Sequence, residues 1–195
     1  KQSVLFQKII ATAIEFLSNN QSVVETLNSY HALTIPKEEV EVYFEKLLPN
    51  YNGSYNDKNY YNLLSATYNM MLTGYMPDYT CLVTPIFRAY EYYLHKILGD
   101  KMGLNTSDNK GKNNFSYFDK NDVGRYECTS AAKDSLTSNQ VEFLNDFYTN
   151  YNRVRHPYSH WSADDYDTAT IDNIVKAREL LEKGLKLINE YYILF

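Results

Sequence analysis

The sequence predicts an all-α protein, a bundle of five to seven helices. Apolar residues recur at three- and four-residue intervals along most of the 195-residue chain. No stretch alternates apolar and polar residues as a half-buried strand would. Only seven glycines and five prolines interrupt the pattern, which favours long elements over many tight turns. The length is sufficient for one domain with a full hydrophobic core.

Residues 1–35 are predicted to form a leading helical segment. Apolar residues share one face over residues 4–17 and, more briefly, over residues 23–30. The chain starts at Lys1 rather than at a methionine, and we therefore expect this segment to connect to a further N-terminal region. Residues 36–195 are then expected to form the main domain.

Three further helices are predicted before residue 100. The first begins after Pro36, since proline fits the first turn and the acidic residues that follow favour the positive end of the helix dipole; it ends at Pro49. The second follows a loop at residues 51–58 and ends at Gly74. The third runs from about residue 80 or 84 to residue 98, with a broad apolar face.

Glu91 lies at the edge of the apolar face of this third helix. Phe87 precedes it by one turn and Leu94 follows it, so its carboxylate is expected to be half sheltered from water. Two interpretations remain open. Glu91 is either a functional carboxylate or a surface acid that pairs with Arg88 or His95 on its own helix.

The helical pattern is lost from about residue 100 to residue 136. Polar residues and glycines dominate there, and Phe115, Tyr117 and Phe118 are the few apolar anchors. A connection of this length inside a compact domain is usually functional or mobile. We expect one long loop, which is either a solvated segment or a contact surface for a partner, and which carries much of the positive charge of the chain.

The next helix has a well-defined start. Thr137 and Gln140 have the spacing of a capping box, in which each side chain binds the backbone N–H of the other. The inner face of the helix reaches Arg155, after Val141, Leu144, Tyr148 and Tyr151. Pro157 is expected to end the helix near residues 155–156, because the residue before a proline avoids helical angles. A final helix is expected from just after Asp165 to the C-terminus.

Residues 153–160 gather two arginines and two histidines at this predicted helix end. Arginine is a permanent cation whose donors match phosphate oxygens, and histidine transfers protons near neutral pH. Arg155 occupies an inner-face position, so a carboxylate, a bound phosphate or both should meet its charge. Arg155 and His160 are therefore suited to attack on a phosphodiester. The alternative is that these basic residues bind the last carbonyls of the helix and its dipole.

Composition restricts the function further. The net charge of −5 does not indicate a nucleic-acid-binding protein, so any contact with phosphates must come from a local patch. No apolar run approaches the roughly 20 residues of a membrane span, and no basic-then-apolar leader is present. We expect a cytoplasmic protein in which Cys81 and Cys128 are free thiols. The four histidines lack the spacing of a zinc site, so no metal or other cofactor is expected.

Arg155 and His160, just after a long helix, resemble the R-x4-6-H motif of the HEPN superfamily, many members of which are metal-independent ribonucleases. A closer resemblance, over roughly residues 36–195, is to the C-terminal domain of the RNase LS toxins of the RnlA family. It rests on the stretch from Leu82 to Glu91, on the Arg155–His160 motif and on a final helix of about 35 residues that ends at Tyr191-Tyr192.

This resemblance implies a HEPN-like bundle that acts as a metal-independent endoribonuclease toxin of a toxin–antitoxin or phage-defence system. It implies Arg155, His160 and Glu91 as catalytic residues, and Arg153 and His156 are candidates for substrate binding. RNA would be the substrate, a protein antitoxin or phage inhibitor the partner, and a homodimer the assembly.

The chemistry would be attack by the 2′-hydroxyl of RNA on the adjacent phosphate. His160 would transfer protons, Arg155 would stabilise charge on the phosphate, and Glu91 would orient one of them or raise the histidine pKa. The alternative is a non-catalytic binding or regulatory domain that holds an antitoxin, a nucleotide or a nucleic acid in the same cleft. The acidic net charge slightly favours this alternative.

Overall fold

The structure is a computed structural model that describes residues 35–159 and 168–195. The helices predicted over residues 4–17 and 23–30 lie outside the described residues, as does His160. The chain divides into two units, Lys1–Pro36 and Lys37–Phe195, and the fold below is that of the second.

Five α-helices build the described part of this unit, which confirms the all-α prediction. In chain order they are α1 (Lys37–Leu47), α2 (Lys58–Met71), α3 (Thr80–Leu94), α4 (Ser138–Ser159) and α5 (Ile174–Leu194). None of the described helices is both long and apolar enough to cross a membrane.

Helix α3 is the centre of the bundle and packs against α2, α4 and α5. Because this helix has neighbours on three sides, its buried side chains cover most of its circumference. Pro85 lies inside this helix. The buried residues of α3 are Leu82, Val83, Ile86, Phe87, Ala89, Tyr90, Tyr93 and Leu94.

The connection between α3 and α4 contains short elements that the sequence pattern did not predict. Helix α3 continues as a π-helical segment, His95–Lys101. Two antiparallel strands follow, β1 (Phe118–Lys120) and β2 (Tyr126–Cys128), and then a 3-10 helix, Ala131–Ser135. The expectation that the described chain holds no strand is corrected here.

The strands escaped prediction because they are three residues long and side chains of α4 hold them in place. The backbone N–H of Tyr126 donates to Thr149 Oγ1 at 2.9 Å, and that of Cys128 donates to Asn145 Oδ1 at 2.8 Å. Such contacts join residues that are distant in sequence, so local periodicity does not reveal them.

Both ends of α4 were predicted, one correctly. The capping box is confirmed, since the backbone N–H of Thr137 donates to Gln140 Oε1 at 2.9 Å and that of Gln140 to Thr137 Oγ1 at 3.4 Å. The predicted end near residues 155–156 is wrong, because α4 continues through Pro157 to Ser159. A proline this close to a helix end removes one backbone hydrogen bond, and the preference against helical angles before proline is a bias rather than a prohibition.

The start of α5 also differs from the prediction. Helix α5 begins at Ile174 and has 21 residues, instead of starting just after Asp165. The Ile171 carbonyl accepts a hydrogen bond from the Tyr79 backbone and the Ile171 N–H donates to Thr80 Oγ1, so this residue is tied to the start of α3. Asn173 then caps α5, its Oδ1 accepting from the Lys176 backbone at 2.8 Å.

Candidate functional site

Glu91 and Arg155 meet between α3 and α4. Arg155 Nη2 lies 3.3 Å from Glu91 Oε1, and the two side chains are 33% and 25% exposed. The carboxylate expected to meet Arg155 is therefore Glu91. Among the described residues, Glu91 pairs across to α4 rather than with Arg88 or His95 on its own helix.

Tyr151 joins this ion pair as a third member. Its hydroxyl donates to Glu91 Oε1 at 3.3 Å, the same oxygen that faces Arg155. Burial of the ring raises the pKa of Tyr151, and the Glu91 carboxylate raises it further. The hydroxyl therefore keeps its proton at any physiological pH and remains a donor to Glu91.

An open groove of about 700 Å³ lies beside the ion pair. Helices α3 and α4 form part of its lining, and the segment Gly111–Ser116, which we call the wall segment, forms the rest. Permanent positive charge in the groove comes from Lys112 and Arg155. The residues of α3 and α4 in the groove are Glu91, Tyr148, Tyr151, Asn152, Arg155 and His156.

A tight turn orders the wall segment. Ser107 and Asn113 pair in an antiparallel bridge, and the backbone N–H of Asp108 donates to the Lys112 carbonyl at 2.8 Å. Asp108 Oδ1 accepts in return from the Lys112 backbone at 2.8 Å. Gly111 has a φ of +73°, a conformation that glycine adopts without strain. This part of the expected long loop is therefore folded.

His95 ties this turn to α3. Its Nδ1 lies 2.7 Å from Thr106 Oγ1 and its Nε2 lies 3.1 Å from Asn113 Oδ1. Its ring packs edge-on against Phe115, with the centroids 5.0 Å apart, and Phe115 in turn packs against Tyr151. One turn of helix thus separates the residue that holds the wall segment from the carboxylate of the ion pair.

A second, smaller groove of about 360 Å³ also includes the ion pair in its lining. Across the two grooves the described residues supply three permanent cations, Arg88, Lys112 and Arg155, against the one carboxylate of Glu91. This is a local excess of positive charge on a chain whose net charge is −5. The other residues of the second groove are Thr84, Phe87, Tyr158 and Ser159.

Comparison with known protein families identifies this region. Residues 36–162 match the family model for the RNase LS, bacterial toxin DBD domain. The chain belongs to this family of bacterial toxins. The match covers α1 to α4, and with them the groove, the ion pair and the Arg155–His160 motif.

A solved bacterial toxin structure has a similar fold. The crystal structure of the Escherichia coli toxin LsoA in complex with the T4 phage antitoxin Dmd matches with a TM-score of 0.63 and 22% sequence identity. The match covers 97% of this chain and 71% of the other. At this identity the likeness supports the fold. No protein with a curated description matches the chain in sequence.

The structure brings together three of the five site residues that the sequence predicts. Glu91, Arg155 and His156 line the same groove. Arg153 stands about 200° around α4 from Arg155 and its Nη2 donates to the Gly124 carbonyl at 3.1 Å, in the turn between β1 and β2. Its contact is therefore with the hairpin. The fifth residue, His160, lies outside the described residues.

Sequence reasoning missed the polar role of Tyr151 and the part played by His95. Tyr151 was recognised only as an inner-face residue of α4, although its position four residues before Arg155 places both side chains on one face. His95 stands four residues after Glu91 and was considered only as a partner for that carboxylate. Its actual partners come from the connection, which local periodicity does not place.

The described residues show no arrangement suited to a metal ion. Within residues 35–159 and 168–195, no three His, Cys, Asp or Glu side chains cluster as ligands would. Cys81 is exposed and Cys128 is buried, and both are free thiols. Burial raises the pKa of Cys128, which keeps this thiol protonated and unreactive.

Proposed function

We propose that this chain is the RNA-cleaving part of a bacterial toxin, a metal-independent endoribonuclease in which Arg155, His160 and Glu91 act together. The observation that supports the proposal is the Glu91–Arg155 ion pair beside a groove with an excess of positive charge. A carboxylate orients a guanidinium before substrate arrives, so less freedom is lost when a phosphate binds. The family assignment to RNase LS toxins supports the same conclusion.

The reaction proposed is a transfer within the RNA strand. The 2′-oxygen attacks the adjacent phosphorus and forms a new P–O bond, while the bond from phosphorus to the 5′-oxygen of the next nucleotide breaks. The 2′-hydroxyl loses its proton to a base and the 5′-oxygen gains one from an acid, roles we propose for His160. Arg155 stabilises the charge that develops on the phosphate oxygens, and Glu91, held by Tyr151, orients Arg155.

Two further residues have supporting roles in the proposal. His156 is exposed at the groove and is proposed to contact the RNA strand. For Arg153, the bond to the Gly124 carbonyl favours support of the β1–β2 turn over direct binding of substrate. The sequence pattern predicts substrate binding for both residues.

The test is an RNA cleavage assay in EDTA, with the chain in its full-length protein. Arg155→Ala and His160→Ala should each lower the cleavage rate by roughly 10²–10⁴-fold, since each removes a group that acts in the transition state. Lys183→Ala is the matched control, because Lys183 is an exposed cation on α5, and its rate should equal that of the parent.

Two outcomes of this assay would overturn the nuclease proposal. One is cleavage by the parent that EDTA abolishes, which would indicate a metal-dependent reaction. The other is unchanged activity in both variants while their urea unfolding curves match the parent.

A second function, binding without catalysis, is favoured by one observation. The net charge of the chain is −5, and a nuclease would gain from positive charge that steers RNA to its site. A parent protein that leaves RNA intact in EDTA but binds it would support this candidate.

We also propose a proteinaceous antitoxin or phage inhibitor as partner. The complex of LsoA, a toxin of similar fold, with the phage antitoxin Dmd supports this proposal. Inhibition of RNA cleavage by a co-expressed antitoxin would test it. The homodimer and the cytoplasmic location stay predictions, and light scattering of the purified full-length protein tests the first.

A further inference from the structure

We propose that the wall segment binds the RNA strand next to the cleaved phosphate, with Lys112 as a second phosphate contact and His95 as the residue that positions it. The identity of the ligand rests on the proposed function. The site itself rests on the geometry of the connection between α3 and α4.

Lys112 and Arg155 line the same groove from different elements. Lys112 is exposed, and no carboxylate of the described residues lies within 4.0 Å of its Nζ. Arg155, in contrast, is already paired with Glu91. A strand that places one phosphate at Arg155 therefore passes a second cation in the same groove, and successive phosphates are the ligand that suits two separated cations.

The backbone that carries Lys112 is ordered before any ligand arrives. Asp108 binds the Lys112 backbone N–H through its carboxylate and the Lys112 carbonyl through its own N–H. The turn at Gly111 and the Ser107–Asn113 bridge complete the fold of this segment. Because an ordered loop loses less conformational freedom on binding than a flexible one, such a turn favours a binding role.

His95 determines where this turn stands relative to the ion pair. Both of its ring nitrogens contact the connection, at Thr106 and at Asn113, and its ring supports Phe115. His95 is one turn after Glu91 on a continuous helix, so α3 fixes the position of the wall segment relative to the ion pair. Loss of the His95 contacts should release the wall segment without disturbing the ion pair.

The Lys112 contact can be measured by binding alone. The probe is a 2′-O-methylated RNA oligonucleotide, which lacks the attacking hydroxyl and stays intact, and fluorescence anisotropy gives its affinity for the full-length protein over a series of salt concentrations. Lys112→Ala should weaken binding and reduce the slope of log affinity against log salt by about 0.7, the value for one contact to single-stranded nucleic acid.

Lys110→Ala is the control for Lys112→Ala. Lys110 is also an exposed lysine, two residues away in the same turn, and it is not part of the groove lining among the described residues. Its slope should equal that of the parent. Equal slopes for both variants, or no binding of the probe by the parent protein, would overturn the inference.

The positioning role of His95 is tested by coupling. In the His95→Ala background, Lys112→Ala should change the salt slope by less than half of its effect in the parent, because the turn no longer places the lysine. His95→Gln, which keeps a donor near Asn113, should restore part of the effect. If His95 only stabilises the fold, His95→Ala should lower the free energy of unfolding, and Lys112→Ala should change the salt slope equally in both backgrounds. That result would overturn the positioning role.

The binding and cleavage assays separate this inference from the nuclease proposal. If the parent protein binds the probe with the Lys112-dependent slope but cleaves no RNA in EDTA, the wall segment is confirmed as a binding site and the nuclease proposal fails. If it cleaves RNA while Lys112→Ala and Lys110→Ala bind alike, the nuclease proposal stands and the inference fails.

Discussion

Helix α3 presents two different faces to the rest of the molecule. On its core face, Tyr93 is fully buried, and its hydroxyl accepts from Asn59 Nδ2 at 3.0 Å and lies 2.7 Å from the Tyr192 hydroxyl. On its groove face, two residues away, Glu91 pairs with Arg155 and keeps a quarter of its side chain exposed. The first face uses neutral polar groups and the second uses charges.

The difference follows from the cost of burial. A buried hydroxyl needs one or two hydrogen bonds, whereas a buried charge must also recover a much larger hydration energy. An ion pair as exposed as Glu91–Arg155 contributes only about 0–1 kcal/mol to stability. We infer that the core face maintains the fold, and that the groove face keeps its charges for a ligand.

The largest expected effect is a loss of stability at alkaline pH, which arises from the core face. Burial raises the pKa of Tyr90, Tyr93 and Tyr192, the last to about 12. Above about pH 10 the unfolded chain loses these protons while the folded chain retains them, so the free energy of unfolding falls as pH rises, by roughly 1.4 kcal/mol per pH unit for each fully buried tyrosine. Below that pH this contribution is fully present. Urea unfolding from pH 8 to 11 measures the slope.

Two phenylalanine variants sharpen the alkaline prediction. Tyr90→Phe removes a buried hydroxyl to which Asn150 donates, and it should make the fall in stability above pH 10 less steep. Tyr75→Phe alters a side chain that is 86% exposed and should leave the slope unchanged. Identical slopes in both variants would contradict the assignment of alkaline sensitivity to buried tyrosines.

Close packing of α5 on the core face gives the second prediction. A Cβ at Gly184 would overlap with Ile86 Cγ1 and lie 2.9 Å from the Tyr90 hydroxyl. Gly184→Ala should therefore lower the free energy of unfolding by roughly 1–3 kcal/mol, because a well-packed core resists added volume, although glycine to alanine within a helix is otherwise favourable by about 1 kcal/mol. Urea unfolding measures the change.

Gly99→Ala is the matched control for Gly184→Ala. Gly99 is also helical, and a Cβ there would meet only ordinary contacts, at 3.7 Å from Thr106 Oγ1. This variant should be as stable as the parent or more stable. If Gly184→Ala is also as stable as the parent, α5 does not approach α3 as closely as described.

The third prediction compares the loss of one hydroxyl from each face. Tyr93→Phe leaves Asn59 Nδ2 without this acceptor and should lower stability by roughly 1–3 kcal/mol, with the RNA cleavage rate per folded molecule unchanged. Tyr151→Phe removes a hydroxyl that holds Glu91 and should lower stability by roughly 0.5–1.5 kcal/mol while reducing cleavage about tenfold. A reversed pattern, with activity lost in Tyr93→Phe alone, would contradict the division between the faces.

Local sequence predicted those features that depend on local periodicity. The all-α class, the first four helices of the main domain and the Thr137–Gln140 box all follow from spacing within one segment. A negative partner for Arg155, either a carboxylate or a bound phosphate, was also expected, since a charge on an apolar face needs compensation, and Glu91 is such a partner.

The features that escaped prediction depend on contacts between distant segments. Strands β1 and β2 rely on side chains of α4, and the start of α5 relies on Ile171 binding the start of α3. A tyrosine on an inner face has the same sequence pattern whether its hydroxyl binds a carboxylate or a core amide, so Tyr151 and Tyr93 could not be distinguished. For the same reason no pattern within residues 100–136 singled out Lys112.

The π-helical continuation of α3 bears on how relatives of this protein can diverge. A π turn closes its hydrogen-bonded ring over one residue more than an α turn, so deletion of one residue within His95–Lys101 would favour a return to α-helix and rotate the following chain by about 100°. Glu91, which lies before this point, would keep its place. A change of one residue in length could therefore move the wall segment and leave the ion pair intact. Such a change would be a simple route to altered substrate choice among homologous toxins.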